Sequence, residues 1–197
     1  ECGWRVGKTP WRGQECESND ARHAFRTGPG RPEMSISLGL AVELLLLLLA
    51  ANGAPVLLAR VLGDRGNFPI DAGLVLPDGR PLFGRSKTWR GLVSGMAACA
   101  VLSTLLGTGP LFGALFGASS LAGDLCSSFL KRRMGIASSG RATGLDQIPE
   151  AVLPLLYART LMPLDALTIA VLTLLFLLGS LLMSRWMYRL GIRKQPY

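Results

Sequence analysis

Asp124, Ser127, Ser128 and Lys131 fall within one run, Gly123-Asp124-Leu125-Cys126-Ser127-Ser128-Phe129-Leu130-Lys131-Arg132-Arg133. On a helix their spacing of i, i+3/i+4 and i+7 puts a carboxylate, hydroxyls and an ammonium on one face. Asp124 lies inside an apolar stretch, where an unpaired carboxylate costs roughly 3 kcal/mol on insertion scales. An acid with a nearby hydroxyl can hold Mg²⁺ through oxygen ligands. Lys131, Arg132 and Arg133 can neutralise phosphate. Read alone, those three cations are the ordinary charges that flank a membrane helix; Asp124 on the same face turns the reading toward a site. Asp146, followed by Gln147, could supply a second carboxylate to the same metal site; read alone, it is equally a cap for the next helix.

A second cluster is Gly84-Arg85-Ser86-Lys87-Thr88-Trp89-Arg90-Gly91. Glycines with Lys and Ser/Thr suit a phosphate cradle, but the G-x-x-x-x-G-K-[ST] spacing of a P-loop fails. Lys87 and Arg90 are i, i+3 at the start of an apolar run. They are equally interfacial anchors, with Trp89 as a belt aromatic. Asp71 with Gly73, and Asn52 with Pro55, are weaker signals on their own. Glu43 interrupts an apolar run and must face a helix partner or a cavity.

The single histidine, His23, lies in a polar head. Outside that head, histidine general acid–base chemistry, His-ligated zinc and Ser-His triads are excluded. The four cysteines form no C-x-x-C pair and no disulfide framework. Phosphoryl or nucleotidyl transfer onto a phosphate needs no protein base, because the attacking oxygen is already ionised at neutral pH. It needs charge neutralisation and alignment. Carboxylates, hydroxyls, Lys and Arg are the required set.

These side chains need elements to hold them. The chain has 197 residues, 49% apolar and only 17% charged, which excludes a disordered chain and disfavours an ordinary water-soluble enzyme. The net charge is +8, but the cations sit between long apolar runs. That placement is a topology signal rather than a nucleic-acid footprint. We expect residues 1–33 to be a disordered or non-native extension, and 34–197 to be the membrane domain.

The apolar runs are 36–62, 92–106, 111–130, 148–162 and 166–184. The first is long enough to cross a bilayer, and Gly53 and Pro55 predict a kink or break in it. Pro77-Asp78-Gly79 predicts a turn in a small hairpin within loop 63–91. The fold class expected is an all-α integral membrane protein with about five transmembrane helices and two functional cytoplasmic loops. Five spans put Arg65, Arg80, Arg85, Lys87 and Arg90 on one side with Lys131, Arg132, Arg133 and Arg141. The tail's Arg185, Arg189, Arg193 and Lys194 join them. Only Arg159 lies near the other side, so both loops and the C-terminus are expected to face the cytoplasm.

Ser128-Phe129-Leu130-Lys131-Arg132 resembles the core shared by membrane cytidylyltransferases of the CDP-diacylglycerol synthase type. The chain is more closely similar to the CDP-archaeol synthase (CarS-like) family. The similarity covers residues 51–55, Asp71 and Gly73, residues 78–80 and 84–91, Gly123-Asp124, residues 128–133 and Asp146-Gln147. It departs from the diacylglycerol type at Ala137-Ser138 and at residues 144–147.

The resemblance implies Mg²⁺-dependent transfer of CMP from CTP to a lipid phosphate, ether-linked or phosphatidate-like, with release of pyrophosphate. Asp124 and Asp146 would hold the metal. Lys87, Lys131 and Arg132 would act on the phosphates. Asn52, Asp71, Thr88, Arg90, Ser128, Arg133 and Gln147 would contact substrate. The partners implied are CTP, a lipid phosphate and the bilayer, with no nucleic acid. The rival readings are a small transporter lined by Glu43 and Asp124, and a non-enzymatic membrane scaffold. A CDP-alcohol phosphotransferase is disfavoured, because its D-G-x-x-A-R run is missing.

Overall fold

The computed structural model describes residues 37–136 and 146–189. The expected head 1–33, most of the second loop and the end of the basic tail lie outside them. Among the described residues the chain forms five helices and no strand longer than an isolated bridge. They are α1 (Leu38–Leu62), α2 (Trp89–Leu106), α3 (Pro110–Arg133), α4 (Gln147–Arg159) and α5 (Ala166–Arg189). Loop one joins α1 to α2, and loop two joins α3 to α4.

Three helices are long and apolar enough to cross a bilayer. Their mean hydropathies are 2.1 for α1, 1.4 for α2 and 2.5 for the first 18 residues of α5. Only 28%, 17% and 17% of those stretches are buried within the protein. Leu38, Val101, Leu105 and Leu167 point outward, as lipid-facing side chains must. Helix α4 has 13 residues, about 20 Å of rise against a hydrocarbon core of about 30 Å. The expected count of about five spans is thus five helices, of which three meet the requirement of length and apolarity.

Helix α1 does not break at Pro55: it runs continuously from Leu38 to Leu62. Proline removes the N–H that would have bonded the carbonyl of Ala51. That carbonyl is packed against α2, where a Cβ on Gly95 would come within 2.8 Å of it. A neighbouring helix can accommodate an intramembrane proline in this way.

Helix α3 lies between α2 and α4 and uses small residues to do so. A Cβ on Gly113 would sit 2.2 Å from the Cys99 carbonyl, and one on Gly123 would sit 2.2 Å from the Pro149 carbonyl. Such backbone approach is how helices associate where the solvent offers no hydrophobic drive. Around this seam, Leu44, Leu47 and Leu48 of α1 pack with Phe116 of α3, Leu155 of α4 and Phe176 of α5. Phe112 stacks on Tyr157 at 5.8 Å.

The α2–α3 turn follows the expected Gly107-Thr108-Gly109-Pro110. Gly107 and Gly109 have φ of 92° and 93°, and Pro110 occupies the first turn of α3. Glu43 faces this turn rather than a helix or a cavity, accepting a 2.6 Å hydrogen bond from Thr108 Oγ1.

Candidate active site

Loop one is organised around Asp71. Its carboxylate accepts hydrogen bonds from the backbone N–H groups of Gly73 (3.1 Å), Phe83 (3.0 Å) and Gly84 (2.8 Å). Burial opposes ionisation of this carboxyl, but the donors outweigh burial and hold it below the ordinary aspartate range. The predicted hairpin forms in minimal fashion. Val75 bridges Pro81, and Leu76 N–H donates to the Arg80 carbonyl at 2.9 Å.

The end of loop one is pinned by backbone hydrogen bonds on either side of Lys87. Ile70 N–H donates to the Lys87 carbonyl at 2.8 Å, and Lys87 N–H donates to the Gly84 carbonyl at 3.2 Å. Thr88 then caps α2, its Oγ1 accepting from Gly91 N–H at 3.3 Å. Arg90 closes the base of the loop by donating to the carbonyls of Gly63 and Arg65, each at 2.6 Å.

This framework delivers Lys87 to α3. Its Nζ lies 2.5 Å from both carboxylate oxygens of Asp124. Two turns further on, Lys131 is 8% exposed and donates to Asp146 Oδ2 at 2.7 Å. Asp146 stands at the N-cap position of α4 but makes no side-chain cap bond. Its carboxylate is given to Lys131 instead. Both acids predicted to hold metal are therefore paired with lysines across elements.

Ser128 is 5% exposed and Arg132 6% exposed on the same end of α3. Arg132 Nη1 donates to the Ile136 carbonyl at 2.7 Å, and among the described residues its buried Nε, like that of Arg133, finds no partner. A buried guanidinium with donors to spare is a ready anion ligand. Ser127 turns its hydroxyl back to the Asp124 carbonyl and takes no part in this face.

Several of the residues expected to contact substrate hold bonds within the protein. Asn52 donates its amide nitrogen to the Leu48 carbonyl in its own helix at 3.0 Å. Asp71 and Arg90 build loop one. Arg133 bonds to loop one as well, donating to Asp78 Oδ2 at 2.5 Å and to the Pro81 carbonyl at 2.7 Å. Gln147 opens α4 beside Asp146. Reading the sequence counted Asp78 as a turn residue and Arg80 as a topology charge, and missed their bonds to α3. A charged pair flanking a glycine turn was the available signal.

The chain matches the CarS-like family, described as CDP-archaeol synthase, over residues 37–111 and 106–197. The chain belongs to that family. A CDP-archaeol synthase of Aeropyrum pernix is 34% identical over 167 residues, covering 80% of this chain and 91% of the relative. One of Thermococcus onnurineus is 36% identical over 127 residues, covering 59% of this chain and 71% of the relative. The fold also matches a solved structure reported as structural insight into an intramembrane enzyme for archaeal membrane lipids biosynthesis. The TM-score is 0.64 at 33% identity, covering 73% of this chain and 91% of that one.

As a CDP-archaeol synthase family member, this integral membrane protein is a cytidylyltransferase that transfers CMP from CTP to a lipid phosphate, giving a CDP-lipid. The transporter and scaffold alternatives fall. Cytidylyltransferases of this kind are generally metal-dependent. Among the described residues, no three His, Cys, Asp or Glu side chains gather into a ligand cage. Carboxylates such as Asp124 and Asp146, each facing an ammonium, are donors of the kind that hold a hard cation together with substrate phosphates.

Proposed function

We propose that the metal is magnesium, that the acceptor is an unsaturated ether lipid phosphate, and that both loops and the C-terminus face the cytoplasm. One observation carries the site: the pairs Lys87–Asp124 and Lys131–Asp146, at 2.5 and 2.7 Å, lie two turns apart along the C-terminal half of α3. The excess of Lys and Arg in both loops and the tail supports the orientation.

In this reading the lysines are resting counter-ions. On substrate binding they move from carboxylate to phosphate. Lys87, Lys131 and Arg132 then carry the triphosphate and lipid phosphate charge. Ser128 and Thr88 have hydroxyl protons to donate, and Asn52 and Gln147 supply amide contacts. Magnesium, when bound by Asp124 and Asp146, neutralises charge on the triphosphate. An ionised oxygen of the lipid phosphate attacks the α-phosphorus of CTP. The bond from that phosphorus to the bridging oxygen breaks, and pyrophosphate leaves with the electron pair. No proton moves to or from the protein, in keeping with a site that has carboxylates, hydroxyls and cations and, among the described residues, no histidine.

Thermal unfolding of the purified protein in detergent tests the ligand set. CTP with Mg²⁺ at about 100 times its Kd should stabilise by about 2.7 kcal/mol. CTP with EDTA should give less. Equal unfolding temperatures with and without CTP and Mg²⁺, in folded protein, would overturn the assignment.

A further inference from the structure

Arg80 and Arg133 hold each other's backbone. Arg80 Nη1 donates to the carbonyl of Arg132 at 3.3 Å and, more closely, to that of Arg133. In return, Arg133 Nη2 donates to the carbonyl of Arg80 at 3.3 Å and to that of Pro81 at 2.7 Å. Arg133 Nη1 pairs with Asp78 at 2.5 Å. The two arginines are 53 positions apart in the chain, one on the loop-one hairpin and the other at the end of α3.

Each contact has a physical reason. The last carbonyls of a helix have no intrahelical donor and carry the negative end of its dipole. Arg80 supplies both a donor and a positive charge there. It lies over Gly135, whose φ is +76° and where a Cβ would come within 3.3 Å of Arg80 Nη2. Arg133 is steadied by the Phe129 ring, 5.2 Å from its guanidinium carbon. Both Nη atoms of Arg133 are committed to the hairpin, and only its buried Nε is without a partner among the described residues.

The two segments joined are those that carry the site. Loop one presents Lys87, and the last turns of α3 present Ser128, Lys131 and Arg132. We infer that Arg80 and Arg133 are positioning residues for cytidylyl transfer, clasping loop one to α3 so that Lys87 is set against Lys131 and Arg132. The inference rests on the phosphate-binding roles proposed above for those residues. Asp78 is the third member, orienting Arg133. Alignment at this level governs kcat, since a misplacement of about 1 Å can slow a reaction about a hundredfold.

The test compares Arg80→Lys, Arg80→Ala and Arg133→Lys with the unaltered protein in detergent. Lysine keeps the charge but cannot reproduce the planar fork. Three quantities are read: kcat and KM for CTP, the unfolding temperature, and amide hydrogen exchange over residues 74–84. We expect kcat to fall about tenfold or more in all three variants, with KM for CTP within about twofold. Exchange over residues 74–84 should quicken while the unfolding temperature stays close to that of the parent.

Normal kcat in Arg80→Ala would overturn the inference. So would Arg80→Lys with normal kinetics beside Arg80→Ala with a raised KM, which would place Arg80 on the substrate as a charge. So would unchanged exchange over residues 74–84. If Arg133→Lys does not fold, the two Arg80 variants decide. If the unaltered protein transferred nothing, the functional reading would fail, whereas the exchange data would still report on the clasp.

Discussion

Lys87 of loop one and Asp124 of α3, 37 positions apart, meet with Nζ 2.5 Å from both carboxylate oxygens. The contact answers how a carboxylate is tolerated in an apolar helix: it is paired. It also joins the two halves of the site. The second pair, Lys131 with Asp146, ties the end of α3 to the start of α4 in the same way. At rest, two acids and two lysines neutralise one another, and CTP with its metal would exchange those partners.

Breaking one side of this pair should separate stability from activity. Lys87→Met strands Asp124 and should lower the unfolding temperature. The side chains are 21% and 24% exposed, so the loss should be smaller than the roughly 3–5 kcal/mol of a fully buried pair. Lys87→Met with Asp124→Asn removes both charges and should recover part of that stability. Activity should stay at least about a hundredfold down in both. Thermal unfolding and pyrophosphate release, measured on the same samples, check this.

Two glycine substitutions should behave in opposite ways. Gly123→Ala drives a methyl into the Pro149 carbonyl, with 2.2 Å available. It should destabilise the protein by about 1–3 kcal/mol and loosen α3 from α4. Gly179→Ala in α5 meets nothing within 4 Å. It should be neutral, or stabilising by up to about 1 kcal/mol through helix propensity. Unfolding temperatures of the two variants decide.

Asp71 should make loop one acid-sensitive. Its carboxyl titrates below the ordinary value of 3.8 in the folded protein, against burial, because backbone donors favour the charged form. The folded form thus binds its proton more weakly than the unfolded one. Its stabilisation is complete above about pH 4 and is lost as pH falls through the lower, folded pKa. Asp71→Asn should be less stable at neutral pH and show a flatter loss of stability below pH 4. Unfolding followed from pH 7 to pH 3 in both proteins gives the comparison.

Much of the architecture was legible because apolar runs are read directly. All five runs became helices, and Asp124, Ser128 and Lys131 share a face as the helical period requires. Pro55 was the misleading signal, since whether proline breaks a helix depends on its neighbour. Here Gly95, 40 residues later, accommodates the freed Ala51 carbonyl. The partners of Asp124 and Asp146 were not legible. Spacing reports which residues share a helix face, and says nothing of a lysine arriving from another segment. Loop one was hardest. Its shape depends on Asp71 gathering N–H groups from positions 73, 83 and 84, and on arginines bonding carbonyls more than 50 positions away.

Glu43 offers a control. It bonds Thr108 beyond the C-terminal end of α2, whereas Lys87 precedes the N-terminal end. The 18 residues of α2 separate them by about 27 Å. Glu43→Gln keeps an acceptor for Thr108 and should leave turnover within about twofold. A tenfold loss of kcat in a folded variant would show that the chemistry reaches that end of the bundle.

The most direct test is pyrophosphate release in mixed micelles with CTP and Mg²⁺. An unsaturated ether lipid phosphate is offered in one arm and phosphatidate in the other, each with the unaltered protein and with Asp124→Asn. The account predicts rapid release with the ether lipid, slower release with phosphatidate, and loss of at least about a hundredfold in folded, membrane-inserted Asp124→Asn. Full activity in Asp124→Asn would contradict the role given to that carboxylate. Release with phosphatidate alone would contradict the acceptor.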